Sequence, residues 1–362
     1  MSATNIPSAA QNYKLTPAGQ VSLPTAALAI DALPDGTMFV ACMDGGIYRV
    51  SADLKSKTQI GKHASYASGV QVVSGQNLVV SAGYDGTLNW LRPIKTDPIR
   101  TVQAHNFWSW RMRTSADGKL TASVTGQYTA GGYKYEPAPE KEPSVRVYDT
   151  ATGKLIHSLP HVPPTLSVAF SPDSRLLAAA NIMGEVRIWD TITGKLQSTF
   201  TTPDFTCWGI IKSHHYIGGV FDMRFSPDGT ELLLCGMGPM IDPMAGNGKQ
   251  LWQRYSVTGS PKKLGEIADK EGGHGLMEAV LYHPDKPVFL MAGRLAQGNW
   301  NTALFDRASG KLVASTDAHL RITGACWLKG GDMVALCGAT SQERPVKGIC
   351  PNFGHIKLFS IA

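Results

Sequence analysis

The stretch SVAFSPDSRLLAAANIMGEVRIWDTITGKLQSTF, Ser167 to Phe200, carries the pattern from which the fold is read. It opens with an alternating apolar run, turns at Ser171-Pro172-Asp173-Ser174, and enters a more continuously apolar run. A third run, VRIWD, ends at Asp190, and after a TITGK turn a fourth begins. Period-two alternation marks strands with one buried face, and Asp, Ser and Gly suit the hairpins between them. A unit of four short strands cannot bury its own faces, so it must pack against others like itself.

Working outward, the same unit recurs. VFDMRFSPDGTELLLCG (Val220 to Gly236), AIDALPDGTMFVACMDGGIYRVS (Ala29 to Ser51) and MRTSADGKLTASVTG (Met112 to Gly126) repeat its first half. VQVVSGQNLVVSAGYDGTLNW, LYHPDKPVFLMAG and ACWLKGGDMVALCG are weaker copies, which brings the total to seven. VRVYDTATGKLIHSL (Val145 to Leu159) and ALFDRASGKLVAST (Ala303 to Thr316) repeat the second half as strand, Asp-x-x-Thr/Ser-Gly-Lys turn, strand. Four strands per unit, recurring every ~40 to 57 residues, predict an all-β chain, a seven-bladed β-propeller of four-stranded antiparallel blades.

RIWD ending at Asp190, with FSPD at Phe170 and at Phe225, resembles the WD-repeat propeller family in its degenerate, bacterial-type form. The resemblance runs over about residues 14 to 362. Val50, Leu91, Tyr148, Tyr255, Phe305 and Phe359 stand at the family's tryptophan position in the other blades. Trp90 falls one residue early and is expected on the other face of its strand. The family's hydrogen-bonded tetrad is therefore expected to be mostly absent.

The last copy ends in HIKLFSIA as a third strand and lacks a fourth, which YKLTPAGQVSL (Tyr13 to Leu23) can supply. Such pairing closes the ring and removes an open edge. Residues 1–12 then read as a loose leader and 13–362 as a single propeller.

Composition agrees with a well-cored protein: of 362 residues, 43% are hydrophobic and 17% charged. No apolar run reaches the roughly 20 residues of a membrane helix. The start, MSATNIPSAAQNYK, has neither a basic region nor an apolar core of a secretory signal. A cytoplasmic location is the default expectation, and an exported one if a leader has been removed. The net charge of +6 comes from short, scattered clusters such as Lys55–Lys57 rather than an aromatic-laced basic stripe, so nucleic acid is an unfavoured partner. The 6 cysteines form no CxxC pair, and Cys42, Cys235 and Cys337 sit in apolar runs as small buried thiols.

With the strands of a blade lettered a to d from axis to rim, a–b and c–d turns share one end of the propeller. The b–c and d–a connections share the other. Both turn types at the first end are short. At the second end lie QYTAGGYKYEPAPEKEP (Gln127 to Pro143), MGPMIDPMAGNG (Met237 to Gly248), RLAQGNW (Arg294 to Trp300) and ATSQERPVKGICPNFG (Ala339 to Gly354). The d–a segment TPDFTCWGIIKSHHYIGG (Thr202 to Gly219) joins them. Neutral insertions would scatter over both ends, so this concentration favours use as a binding face.

Six of the seven d–a connections contain histidine: His63, His105, His161, the pair His214 and His215, His274 and His319. The resemblance implies that a single histidine there ties the blade end together, which leaves one of the pair spare. His161, His214 and His215 form a lower-ranked metal alternative, with no recognisable zinc spacing. Trp108, Trp110, Tyr128, Tyr133, Trp208, His215, Tyr216, Met240 and Trp300 are the expected contacts of a protein or peptide partner. Arg111 and Arg321 are expected at the channel mouth, with a salt bridge as the competing reading. No GxSxG, HExxH or complete P-loop occurs. The leading expectation is a non-catalytic scaffold that needs no cofactor. The alternative is an enzyme or small-ligand site at the channel mouth, built from His161, His214, His215, Arg111 and Arg321.

Overall fold

The computed structural model describes the chain apart from residues 1–12, 74, 130–135, 138–141, 209–215, 243–246 and 342–352. Among the described residues the protein is all-β, with two one-turn 3-10 segments, Pro203–Phe205 and Lys329–Gly331. Five separate four-strand antiparallel sheets occur, and a nine-strand sheet divides at the lone Lys249–His274 pair into a five-strand group, four strands plus the short Thr206–Trp208, and a four-strand group. This is a propeller-like architecture. The innermost strands, in chain order, are Ala27–Ala32, Ala67–Val72, Arg111–Thr114, Thr165–Phe170, Tyr216–Phe225, His274–Tyr282 and Arg321–Leu328. Each touches the next in that order, and Arg321–Leu328 touches Ala27–Ala32 again. The N-terminal strand Leu15–Leu23 pairs antiparallel with Gly354–Ile361, from Leu15 opposite Ile361 to Leu23 opposite Gly354. The first and last described strands thus share one sheet.

Two side-chain turns repeat the hairpins. At the a–b turn a serine hydroxyl donates to an aspartate two residues on, at 2.6 Å for Ser115–Asp117 and Ser171–Asp173 and 2.5 Å for Ser226–Asp228. The same hydroxyl accepts the amide five residues on, from Leu120, Leu176 and Glu231. At the c–d turn Asp149, Asp190 and Asp306 each accept both the amide and the hydroxyl of the Thr or Ser three residues on. These bonds close each turn between residues two to five positions apart, which is why the motifs can be read in sequence.

The apolar clusters lie between sheets, not within one central core. Leu23, Ile356 and Leu358 of the last unit pack with Met38, Val40 and Val50 of the first. Trp90 is fully buried against Tyr148 of the following unit and donates its indole N–H to the Thr150 carbonyl at 2.7 Å. Trp189, by contrast, packs with Val145 and Val147 of the preceding unit. The one-residue offset does turn Trp90 to the opposite face.

The d–a histidines knit units together at the sheet ends. His63 places Nε2 2.9 Å from Ser81 Oγ and Nδ1 3.2 Å from Asp85, and Asn89 Nδ2 lies 3.4 Å from the same ring. His105 Nε2 meets Ser123 Oγ at 2.9 Å, and His161 Nε2 lies 3.3 Å from the Ala179 carbonyl. All three rings are buried. His319 departs from this pattern: its side chain is 82% exposed beside Asp317.

Candidate functional site

The inner strands begin around a cavity of about 620 Å³ at one end of the axis. Its lining includes Tyr66, Trp110, Arg111 and Arg321 from the d–a side and Met43, Tyr84 and Ala339 from the b–c side. The two kinds of connection therefore meet at one mouth, called the upper mouth below. A second cavity, of about 320 Å³, is lined by Ala116, Ser171 and Pro172 of the a–b turns and marks the lower mouth.

Five rings form a continuous cluster beside the upper cavity. Trp108 stacks on Tyr84 with centroids 4.6 Å apart and on Phe107 at 4.9 Å. Trp110 stands edge-on to Trp108 at 5.3 Å and to Tyr84 at 5.4 Å, and Tyr66 completes the set 5.6 Å from Tyr84. The Trp110 indole is fixed by donating to the Gly126 carbonyl at 2.9 Å. Tyr66 and Trp108 remain 42% and 40% exposed, so the cluster presents ring surface outward rather than spending all of it on packing. Burial pushes the Tyr84 phenol up to about 12, so it stays a neutral donor across the physiological range.

Two arginines, each with a carboxylate nearby, flank the mouth. Arg321 forks onto Glu278 Oε1 through Nε at 3.3 Å and Nη2 at 3.0 Å, and Arg111 Nη1 lies 3.9 Å from Asp222 Oδ1. Deeper on the axis Asp222 Oδ1 also accepts Arg113 Nη2 at 2.9 Å and Arg224 Nη1 at 2.8 Å, while Oδ2 accepts the Val280 amide at 3.2 Å. The three guanidiniums outweigh burial and hold the Asp222 carboxyl below its usual range. Asp31 faces the same cluster, accepts the Val72 and Ala32 amides, and is raised by burial. This charged plug separates the two cavities, with Arg111 above it and Arg113 and Arg224 below.

Trp108, Trp110, Arg111 and Arg321, expected from sequence, come together at the upper mouth. Both readings of the arginines hold at once: each lines the cavity and each has a carboxylate partner or neighbour. Trp300 is a correction. It is 5% exposed, packs edge-on to Phe305, and donates its indole N–H to the Glu271 carbonyl at 3.0 Å, so it is a core residue. His161 is likewise removed from the mouth: buried beside Trp189, it does not line the cavity, and burial drives its imidazole down to about 3. Tyr133, His214 and His215 lie outside the described residues. For Tyr128, Trp208, Tyr216 and Met240 only the backbone is described. Tyr128 pairs with Pro137, Trp208 with Tyr216, and Met240 with Gly248.

Sequence reasoning missed Tyr66, Tyr84, Phe107 and Glu278. It also missed the axial set Asp31, Asp222 and Arg224. A partial signal was present: charged residues at i and i+2 in inner strands, Arg111/Arg113 and Asp222/Arg224, share one face of an otherwise apolar strand. Among the described residues no group of three or more His, Cys, Asp or Glu is placed to hold a metal, and no helix is long and apolar enough to cross a membrane. Cys42, Cys235, Cys326 and Cys337 are free and buried.

Repeated four-strand sheets with Ser-x-Asp and Asp-x-x-Thr-Gly turns are compatible with WD repeats, and comparison with known proteins finds that repeat in one stretch of the chain. The WD domain, G-beta repeat family matches residues 153–190. The match runs from the outer strand of the third unit to the third strand of the fourth, so the sequence repeat is staggered against the sheet. The intraflagellar transport protein 80 homologs of Rattus norvegicus and Mus musculus are each 24% identical over 188 residues, 48% of this chain. The alignment covers 22% of each relative, about a fifth of its length.

Proposed function

We propose that the chain is a single seven-bladed ring, closed by the N-terminal strand, that binds a protein or peptide partner at its upper mouth. Cyclic contact of the seven inner strands and the Leu15–Leu23 pairing support the ring. One observation carries the binding reading: a five-ring aromatic cluster, exposed at Tyr66 and Trp108, borders a cavity flanked by Arg111 and Arg321. Aromatic rings and arginine are the residues that dominate interface energetics, because they offer large contact area at small entropic cost. The repeat supports the same reading, since WD repeats generally act as interaction scaffolds. Residues of the long b–c segments, Tyr128, Tyr133 and Met240, and the d–a residues Trp208, His215 and Tyr216 are assigned to the rim of this surface.

The test is capture of partners from the native cell by the tagged protein, wild type against Trp108→Ala with Arg321→Gln. Ile192→Ala, an exposed residue of a c–d turn, is the control. Loss of a specific partner in the double variant alone, at unchanged melting temperature, supports the proposal; equal capture by all three proteins rejects it. A second reading follows from the cavity itself, whose volume lies within the range of small-molecule sites. A low-molecular-mass ligand that co-purifies with wild type and is lost in the double variant would favour it.

A further inference from the structure

The lower mouth carries a pair of arginines that the upper-surface reading does not use. Its cavity of about 320 Å³ is lined by all seven inner strands or their turns, including Asp31, Gln71, Arg113, Ser171 and Arg224. On the axis the three guanidiniums of Arg111, Arg113 and Arg224 face two carboxylates, Asp222 and Asp31. Asp222 lies behind the arginines and does not line the lower cavity, whereas Arg113 and Arg224 do. Asp31 has each carboxylate oxygen engaged by a backbone amide. Arg113 is 9% exposed, and its Nε is buried with no hydrogen-bond partner. Burial beside Arg224 lowers the Arg113 guanidinium only to about 9, so it remains a cation at neutral pH. Two guanidiniums lining a low-dielectric pocket attract an oxyanion entering from solvent, which accepts charge-assisted hydrogen bonds from them.

We propose that the lower mouth is a binding site for a small oxyanion, a phosphate or carboxylate group, held by Arg224 and Arg113 with Gln71 and Ser171 beside it. The size of the cavity admits the oxyanion of a small metabolite rather than a folded segment. The site is separate from the upper surface, and its failure would leave the partner-binding reading untouched.

The purified full chain is titrated by calorimetry with potassium phosphate and, separately, with malonate, at an ionic strength held constant with potassium chloride. Wild type is expected to give a saturable one-site isotherm with at least one of them. Phosphate alone assigns the site to phosphate groups, malonate alone to carboxylates, and both to either. Arg224→Gln is expected to weaken binding by about tenfold or more, the usual range for losing a charge-assisted hydrogen bond. Should that variant fail to fold, Ala116→Asp places a negative charge on an exposed turn at the same mouth and is expected to weaken binding as strongly. No saturation by either anion, or binding by a folded variant at wild-type strength, overturns the proposal.

Discussion

Arg113 Nη2 meets Asp222 Oδ1 at 2.9 Å although 109 residues separate them. The bond joins the third unit to the fifth, so it spans the axis instead of linking neighbours. Arg224 adds a second contact to the same oxygen, and the Val280 amide ties the other oxygen to the sixth unit. One carboxylate therefore organises three units and the floor between the two cavities.

Asp222→Ala is expected to destabilise the protein by about 3–5 kcal/mol, because it leaves buried guanidiniums uncompensated. The Asp222 carboxyl is held below its ordinary value in the fold. Its contribution is therefore present above the unfolded value of about 3.9 and is lost as pH falls through the folded value. Denaturant midpoints of wild type and variant are expected to converge as pH drops below about 4; a constant gap would show that the carboxylate's charge is not what matters.

Burial drives both His105 and His161 down to about 3. Their folded values lie below the unfolded value, so the unfolded chain takes up protons first and stability falls as pH drops from about 6.5 towards 3. Each ring contributes a slope of up to about 1.4 kcal/mol per pH unit in that window. His105→Gln should flatten the pH dependence of the urea midpoint by about half of the paired effect. An unaltered slope would count against the buried neutral imidazole.

Trp300 and Trp108 separate packing from recognition. Trp300→Ala should cost about 3–5 kcal/mol, as a large buried ring does, and lower the melting temperature sharply. Trp108→Ala should cost about 1 kcal/mol or less while reducing partner capture. Thermal melts beside the capture assay read both effects, and the opposite ranking in the melts would refute the assignment.

Gly86 adopts φ +76°, and a Cβ there would fall on the His105 carbonyl oxygen, backbone that cannot swing aside. Gly259 has a similar φ of +74° with open space around it. Alanine at Gly259 should cost about 1 kcal/mol from backbone strain alone. Alanine at Gly86 should cost at least about 2 kcal/mol, since strain and collision add. Equal denaturation midpoints for the two variants would mean that the turn does not need the close approach of His105.

The propeller-like fold was legible because its signals are local. The Ser-x-Asp and Asp-x-x-Thr-Gly turns are closed by bonds within five residues, and strand parity placed Trp90 on the correct face. Trp300 was misread because its sequence neighbourhood, RLAQGNW, looks like a loop tip, whereas its burial depends on Phe305 and the Glu271 carbonyl. Tyr84 escaped notice for the same reason: its stacking partner Trp108 belongs to another unit.

Strand order within a unit, hairpin chemistry and the alternation of faces along a strand, as at Trp90, follow from the amino-acid sequence alone, since they depend on residues a few positions apart. Which side chains share a mouth, how Arg111, Arg113 and Arg224 converge on Asp222, and which tryptophan stays exposed were settled only by curvature of the sheets about an axis. Curvature brings together residues more than a hundred positions apart, and no period or motif in one unit records it.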